Sequence, residues 1–304
     1  MDEGKDRPTL LVLAAGLGKR FGGLKQMVQV GPSGEAIVDY SLYDARRAGF
    51  ERAVFVIRPE IETEFSEVIL SRLRTVMKSE VVLQRMEDLP LRQAAGGHRE
   101  KPWGTAHAVW AARHALRGPF GVINADDFYG PRSFAVLADL LQGMDAEGSE
   151  YGLVSFRLGQ TLSEWGPVAR GICHTTAGGR LVSIREYTAI RADGGKIVGR
   201  NPSGEEEMLE GDLPVSMNMW AFTPRIFAQL GGLFREFLRR EPGPESEFFI
   251  SESVNRVVGE GRARVHVRES PERWCGITHP GDVEHVRAHI VRLVEQGTYP
   301  QSLY

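Results

Sequence analysis

Between Leu11 and Gln26 the chain reads LVLAAGLGKRFGGLKQ, an apolar run that gives way to Gly16, Gly18, Gly22 and Gly23, with Arg20 and Lys25 among them. Glycine lets backbone N–H groups close on an anion, because no Cβ intervenes and positive φ is open to it. Arginine offers phosphate oxygens a planar fork, and lysine a compact charge. A phosphate suits such a loop, although a surface turn with two solvated cations would have the same composition. Two familiar phosphate loops do not fit. GLGKRF begins like the dinucleotide fingerprint, but Phe21 stands where the third glycine belongs; a Walker loop needs Ser or Thr after its Gly-Lys, and Gly18-Lys19 is followed by Arg20.

Two further stretches could do chemistry with a phosphate. GVINADDFYG, Gly121 to Gly130, sets Asp126 and Asp127 just past an apolar strand. In open parallel sheets that edge is where ligands bind, and Mg²⁺ takes one or two carboxylates together with substrate phosphate oxygens. Neighbouring residues point to opposite sides of an extended chain, so the two aspartates divide their work; an ordinary Asp-rich turn before Gly130-Pro131 is the plainer alternative. KPWGTAHAVWAAR, Lys101 to Arg113, places a glycine at the mouth of a helix, where exposed N–H groups favour an anion or a base acceptor. Read alone, it is equally a helix start followed by core alanines. His107 and His114 read as helix-surface residues.

In this order and spacing, the three stretches resemble the sugar-1-phosphate nucleotidylyltransferases, in which a glycine-rich loop leads through an Arg to a Lys. The resemblance is closest from Leu11 to Gly130, looser from Ser183 to Phe222 and loosest near Trp274. It departs from the family at Leu24, where a Pro usually precedes the Lys. It implies that Arg20 and Lys25 act on the phosphates, with Lys25 the first catalytic candidate. Ala14, Ala15, Gly16, Gly18 and Gln26 would hold the nucleotide, with Gly104 and Thr105 near its base. Asp126 would be the metal ligand, Asp127 a helper, and Asn124 a sugar contact.

The second half carries the resemblance onward. SIREYTAI puts Glu186 where the family has a sugar-binding Glu, with Tyr187 in place of the following Lys. VSMNMWAF offers Asn218 beside the sugar, within what also reads as a buried strand. WCGITHPGD resembles a late strand carrying a second acidic metal ligand, but Gly276 occupies that place. Asp282 is the nearest substitute and could equally cap the last helix. His285 and His289 have a zinc-compatible spacing of four, without a third ligand in the sequence, and read as a solvated helix face.

These residues need a frame that brings strand ends together. Leu10–Ala14, Ala53–Ile57, Val81–Leu83 and Phe120–Asn124 read as strands. Ile37–Ala48, the face marked by Ile61, Phe65, Val68 and Ile69, and Thr105–Leu116 read as helices between them. That β-α order predicts an α/β fold with a doubly wound, mostly parallel sheet. Leu153–Phe156, Val168–Cys173 and Leu181–Ile184 read as further strands, with a hairpin at TAGGR. Ala192 to Asp212 reads as a loop or flap, and Glu247–Val258 and Asp282–Glu295 as helices. The expectation is one Rossmann-like, GT-A-like domain: a nucleotide-binding half over about 9–150, a sugar-binding half over about 151–280, and a C-terminal helix and tail over 281–304.

Composition is consistent with this and narrows the alternatives. The 304 residues carry a net charge of −3, 42% hydrophobic and 25% charged residues, which gives no basic footprint for nucleic acid. Cys173 and Cys275 are too few for a disulfide framework or a structural zinc site. The charged start MDEGKDRPTL lacks an apolar signal core, and no run approaches a membrane span, so a cytoplasmic protein is expected.

The resemblance implies an Mg²⁺-dependent enzyme that joins a nucleoside triphosphate, with uridine or thymidine favoured, to a sugar-1-phosphate. Three rivals remain: a transferase acting on a non-sugar phosphate, a glycosyltransferase, and a regulatory protein that binds nucleotide sugars without turnover. Asp126-Asp127 lacks the Asp-x-Asp spacing common in glycosyltransferases.

Overall fold

Alternating burial organises the first half of the chain. In β1, Thr9–Leu13, Leu10 and Val12 pack into one core while Leu11 and Leu13 pack into another, as expected for a strand covered on both faces. The computed structural model describes residues 8–16, 28–91, 99, 101–277, 279 and 281–304. After β1 come α1 (Ile37–Arg47), β2 (Arg52–Ile57), an irregular helical stretch over 59–73, β3 (Lys78–Leu83), α2 (Thr105–Ala111), β4 (Phe120–Asn124), β5 (Asp127–Phe128) and α3 (Pro131–Leu141). The second half contributes β6 (Glu150–Arg157), β7 (Val168–Thr175), β8 (Leu181–Asp193), β9 (Lys196–Arg200), β10 (Glu206–Leu209) and β11 (Pro214–Phe222). It closes with α4 (Arg225–Arg239), α5 (Ile250–Gly259), β12 (Arg264–Glu269), β13 (Cys275–Gly276) and α6 (Asp282–Glu295).

The main sheet runs β10-β9-β8-β7-β11-β4-β1-β2-β3, with β6 paired to β11 and β12. The β3-β2-β1-β4 portion is parallel, and β11 joins it antiparallel to β4. The sheet is therefore α/β and mixed: parallel where helices cross over, antiparallel where hairpins and meanders build the second half. Side chains of α1 and α3 fill one core, and those of α2, α4 and α5 the other. A third cluster joins Tyr40 of α1, Phe128 of β5, Ile290 of α6 and Tyr299.

The structure corrects one of the sequence readings of the second half. Residues 192–212 are not a flap: β8 continues to Asp193, and β9 and β10 add an antiparallel meander to the sheet edge. Their exposed pattern of Glu206, Glu207 and Met208 hides the strand, because an edge strand needs little apolar alternation. The sequence reading also assigns no element to 131–141, 225–239 or 264–269. The signals were present: Pro131 at the first helical position, and Ile226, Leu230, Leu233 and Phe234 at helical spacing, all buried.

Candidate active site

The carboxyl ends of β1, β3 and β4 converge on one edge. Leu13 pairs with Asn124 in the β1–β4 register, and the ladder continues through Ala125 N–H to Leu13 O at 3.0 Å and Ala14 N–H to Val56 O at 2.9 Å. Ala14 is buried beneath this edge, while Ala15 and Gly16 reach a cavity of about 370 Å³ that Gln84, Gly104 and Thr105 also line. A second cavity of about 790 Å³ lies on the second-half side, bounded by Glu186, Arg170, Glu252 and Trp274. Thr105, Asn124, Asp126 and Asn218 line both. Eight of the expected site residues, Ala15, Gly16, Gly104, Thr105, Asn124, Asp126, Glu186 and Asn218, thus line these two adjoining cavities. Gly18, Arg20, Lys25 and Gln26 lie outside the described residues.

A larger cavity, about 890 Å³, opens at the opposite edge of the parallel strands by Thr9, Arg52, Lys78 and Pro119. None of the expected site residues lines it. The smaller cavities, at the carboxyl edge, are where this topology places ligands.

The two aspartates divide their work as their adjacency requires. Asp126 faces both cavities. Asp127 is buried and accepts Asn124 Nδ2–H at 2.9 Å. The Tyr129 hydroxyl accepts the Asn124 backbone N–H at 3.0 Å and donates to Met217 O at 2.9 Å, with Asp127 Oδ2 at 3.3 Å. Tyr129 is fully buried, and desolvation with the nearby Asp127 charge pushes its phenol well above the usual range. It remains a neutral donor and holds the acidic turn against β11.

On β11, a bulge between Ser216 and Met219 turns Asn218 out at φ +58°. Asparagine tolerates the left-handed region better than most residues, and such local strain favours functional positions. Trp220 Nε1 donates to Asn218 Oδ1 at 3.4 Å. Across the larger cavity, burial raises the Glu186 carboxyl, opposed by Arg170 and reinforced by Glu252. Burial alone raises Glu252. Arg170 is itself buried, its guanidinium pushed down to about 10 by desolvation; it lies 4.8 Å from the Trp274 ring centre and donates to Ala169 O and Thr161 O.

Backbone geometry explains the glycine before α2. Gly104 has φ +110°, and a Cβ there would stand 2.7 Å from Phe248 O and 2.9 Å from Phe248 N. Only glycine lets the two segments meet, and Ala106 N–H then donates to Phe248 O at 3.0 Å. Thr105 Oγ1 accepts the Ile250 N–H at 3.0 Å, tying the mouth of α2 to the start of α5.

Asp282 sits in the first turn of α6 and is buried. Its Oδ1 accepts Ser163 Oγ–H at 2.8 Å and its Oδ2 accepts the His279 N–H at 2.6 Å. It lines neither cavity containing Asp126. Among the described residues there is no group of three or more His, Cys, Asp or Glu able to hold a metal by themselves. Gly276, where the resemblance led to an acid being expected, is packed against the Trp274 ring, and a Cβ there would lie 2.8 Å from Asp127 Oδ1.

Two histidine readings change. His107 is fully buried and pairs with Gln84 and the Asp88 carbonyl; it does not sit on the helix surface. His289 packs edge-on to Phe128, and burial pushes its pKa down to about 4. His114 is exposed, as expected. The sequence reading also missed Gln84, Tyr129, Arg170 and Glu252. Gln84 carried a usable signal, since it directly follows a parallel strand at the ligand-binding edge.

The nucleotidyl transferase family model matches residues 9–184. The chain belongs to the nucleotidyl transferase family. The match spans β1 through the start of β8 and so includes the glycine-rich stretch, the acidic turn and the α2 mouth. No curated protein sequence matches the chain significantly.

Solved structures share the fold of this nucleotidyltransferase. The inositol-1-phosphate CTP transferase of T. maritima superposes with a TM-score of 0.59 at 16% identity, covering 93% of this chain and 95% of that one. A UDP-glucose pyrophosphorylase solved with UDP-glucose superposes with a TM-score of 0.56 at 16% identity, covering 94% and 98%. Among the described residues, no helix is long and apolar enough to cross a membrane.

Proposed function

We propose that this nucleotidyltransferase joins a uridine or thymidine triphosphate to a sugar-1-phosphate, giving a nucleotide sugar and pyrophosphate. The supporting observation is the pair of cavities that share Thr105, Asn124, Asp126 and Asn218 as a common wall. Two substrates between which a nucleotidyl group is transferred need adjoining pockets with the reacting phosphates at the junction. The nucleoside fits the cavity by Gly16 and Gly104, and the sugar fits the one lined by Glu186 and Asn218, whose polar groups suit hydroxyls.

The acceptor supplies its own nucleophile. A phosphate monoester has a second pKa of about 6, so its oxygen is already anionic at neutral pH and needs no general base. That oxygen attacks the α-phosphorus, a new P–O bond forms, and the α–β bridging bond breaks as pyrophosphate leaves with the electron pair. The remaining obstacle is repulsion between two polyanions, met by fixed positive charge and alignment. In this reading Arg20 and Lys25 supply the charge, while Asn124, Glu186 and Asn218 orient the sugar.

The donor set at the junction fits Mg²⁺. Asp126 offers a hard carboxylate on the wall where the phosphates would meet, and Mg²⁺ commonly takes one or two carboxylates plus phosphate oxygens and water. Asp126 is the residue proposed to hold it; Asp127 supports the turn, and Asp282, the other acid the resemblance offered, caps the 279–282 turn outside both cavities. Bound there, the ion would neutralise phosphate charge. The test is a matrix of nucleoside triphosphates against sugar-1-phosphates with Mg²⁺, read as pyrophosphate together with nucleotide sugar. Binding without pyrophosphate release for every pair would overturn the reading in favour of a sensor.

A further inference from the structure

We infer that Arg170 supplies the positive charge that receives the acceptor's phosphate: it does from β7 the work that the resemblance gives to a Lys on β8, where this chain has Tyr187. This deepens the proposed reading of the larger cavity as the acceptor's site, and rests on it.

The two positions serve the same space. Arg170 and Tyr187 are direct partners in the antiparallel β7–β8 register, so their side chains leave the sheet on one face. Tyr187 is buried in the apolar cluster that holds Ile172 and Trp274, and brings no cation to it. Arg170 lies 4.8 Å from the Trp274 ring centre. That ring packs against Gly276, which pairs with Asp127 of the acidic turn. Arg170, Trp274, Asp126 and Asp127 all line the larger cavity. The charge thus stands on the side of the acidic turn, towards the junction with the nucleoside cavity.

What Arg170 lacks is a counterion. It is 7% exposed, and among the described residues no carboxylate oxygen lies within 4.0 Å of its guanidinium nitrogens. Asp127, Glu186 and Asp282 act on it only at longer range, and with a pKa of about 10 it stays charged at neutral pH. Its terminal nitrogens donate to neutral acceptors, Ala169 O at 2.8 Å and Thr161 O at 2.5 Å. Its Nε–H has no partner among the described residues, nor has the buried Nε1–H of Trp274. A buried cation is costly until an anion pairs with it, and a buried donor until it finds an acceptor. A phosphate monoester entering the cavity meets both needs, and the planar fork of arginine matches its oxygens. Among the described lining residues the other cation, Arg185, is exposed, where water already screens its charge.

Steady-state pyrophosphate release by the full chain with Mg²⁺, using UTP and glucose-, galactose- or mannose-1-phosphate as probes, tests this. Arg170→Gln keeps a donor for the Thr161 carbonyl and removes the charge. A charge-assisted hydrogen bond is worth roughly 10- to 100-fold, so KM for the sugar phosphate should rise at least ~10-fold while KM for UTP stays within about twofold. Arg170→Lys keeps the charge without the fork and should stay within about fivefold of wild type. Adding Tyr187→Lys to Arg170→Gln returns a cation to the same face and should recover most of the loss. An Arg170 that only braces Thr161 and Trp274 would move both KM values together and gain nothing from Tyr187→Lys. Either of those results, or an unchanged KM for the sugar phosphate in Arg170→Gln, overturns the inference. Where Arg170→Gln does not fold, the wild type decides. Its Arg170 Nε–H resonance should shift on saturation with the sugar phosphate and not with the free sugar, and an unmoved signal overturns the inference. Absence of pyrophosphate for every pair would instead remove the underlying reading of the cavities, and this inference with it.

Discussion

The Tyr129 hydroxyl donates to the Met217 carbonyl at 2.9 Å, joining the acidic turn after β4 to the bulge of β11 that presents Asn218. The same oxygen accepts the Asn124 N–H at 3.0 Å. Asn124 and Asn218 line both cavities, so one buried phenol fixes both sides of the junction.

Tyr129→Phe should therefore cost more than an average surface change. It leaves a buried N–H and a buried carbonyl unsatisfied, for which a loss of about 1–3 kcal/mol is expected in urea unfolding. Pyrophosphate release should fall as well, with KM for the sugar phosphate rising more than KM for the nucleotide, since Asn218 and Asn124 would lose their common anchor. Wild-type stability together with unchanged kinetics would show that Tyr129 only fills space.

Gly276→Asp, which places an acid where the sequence resemblance expected one, should not create a metal ligand. A side chain there collides with the Trp274 ring and comes within 2.8 Å of Asp127 Oδ1, bringing two carboxylates together in a buried place. Overpacking costs typically 1–3 kcal/mol and an unpaired buried charge adds to that. The expected outcome is a destabilised protein with weaker Mg²⁺ dependence, measured by thermal unfolding and by titrating the ion in the pyrophosphate assay.

Periodicity and strand-end chemistry made the first half legible. Buried parallel strands are continuous apolar runs, and their carboxyl ends announced themselves through Gly16 and Asp126, as the mouth of α2 did through Gly104. Residues 192–212 were illegible because an edge meander satisfies its ladder with exposed Glu and Lys. Tyr129 and Arg170 were illegible for another reason: their partners lie far away in sequence, at Met217 and Trp274. His107 reads as a surface residue because one ring among alanines does not reveal that Phe234 and Trp110 enclose it.

Asp126→Asn keeps shape and hydrogen-bonding capacity while removing the charge proposed to hold Mg²⁺. Turnover should drop by at least ~100-fold, in line with the loss of one preorganised electrostatic group, and excess Mg²⁺ should recover part of it. Lys25→Ala should give a similar loss that Mg²⁺ does not recover. Normal turnover in either folded variant removes that residue from the mechanism.

Asp44 gives a stability prediction with a definite sign. It is buried in α1, accepts the Tyr299 hydroxyl at 2.6 Å, and desolvation pushes its carboxyl up to about 7 from 3.8. Tyr299 and Arg47 favour the charged form and Glu272 opposes it, but burial dominates. The folded state therefore holds a proton that the unfolded chain has released above pH ~4, and this group's contribution to stability falls as pH rises towards 7. His107 acts in the opposite sense. Its folded pKa is lowered to about 4, so its contribution is present above 6.5 and is lost as pH falls towards 4. The two oppose each other across that window, and the wild-type profile alone does not separate them. Asp44→Asn does, because it keeps an acceptor for Tyr299 and removes the titration. Its stability relative to wild type should rise between pH 4 and pH 7, by on the order of 2–4 kcal/mol, and stay level above that. Urea melts of both proteins at intervals across the range would show it, and parallel profiles would mean that Asp44 stays ionised in the fold.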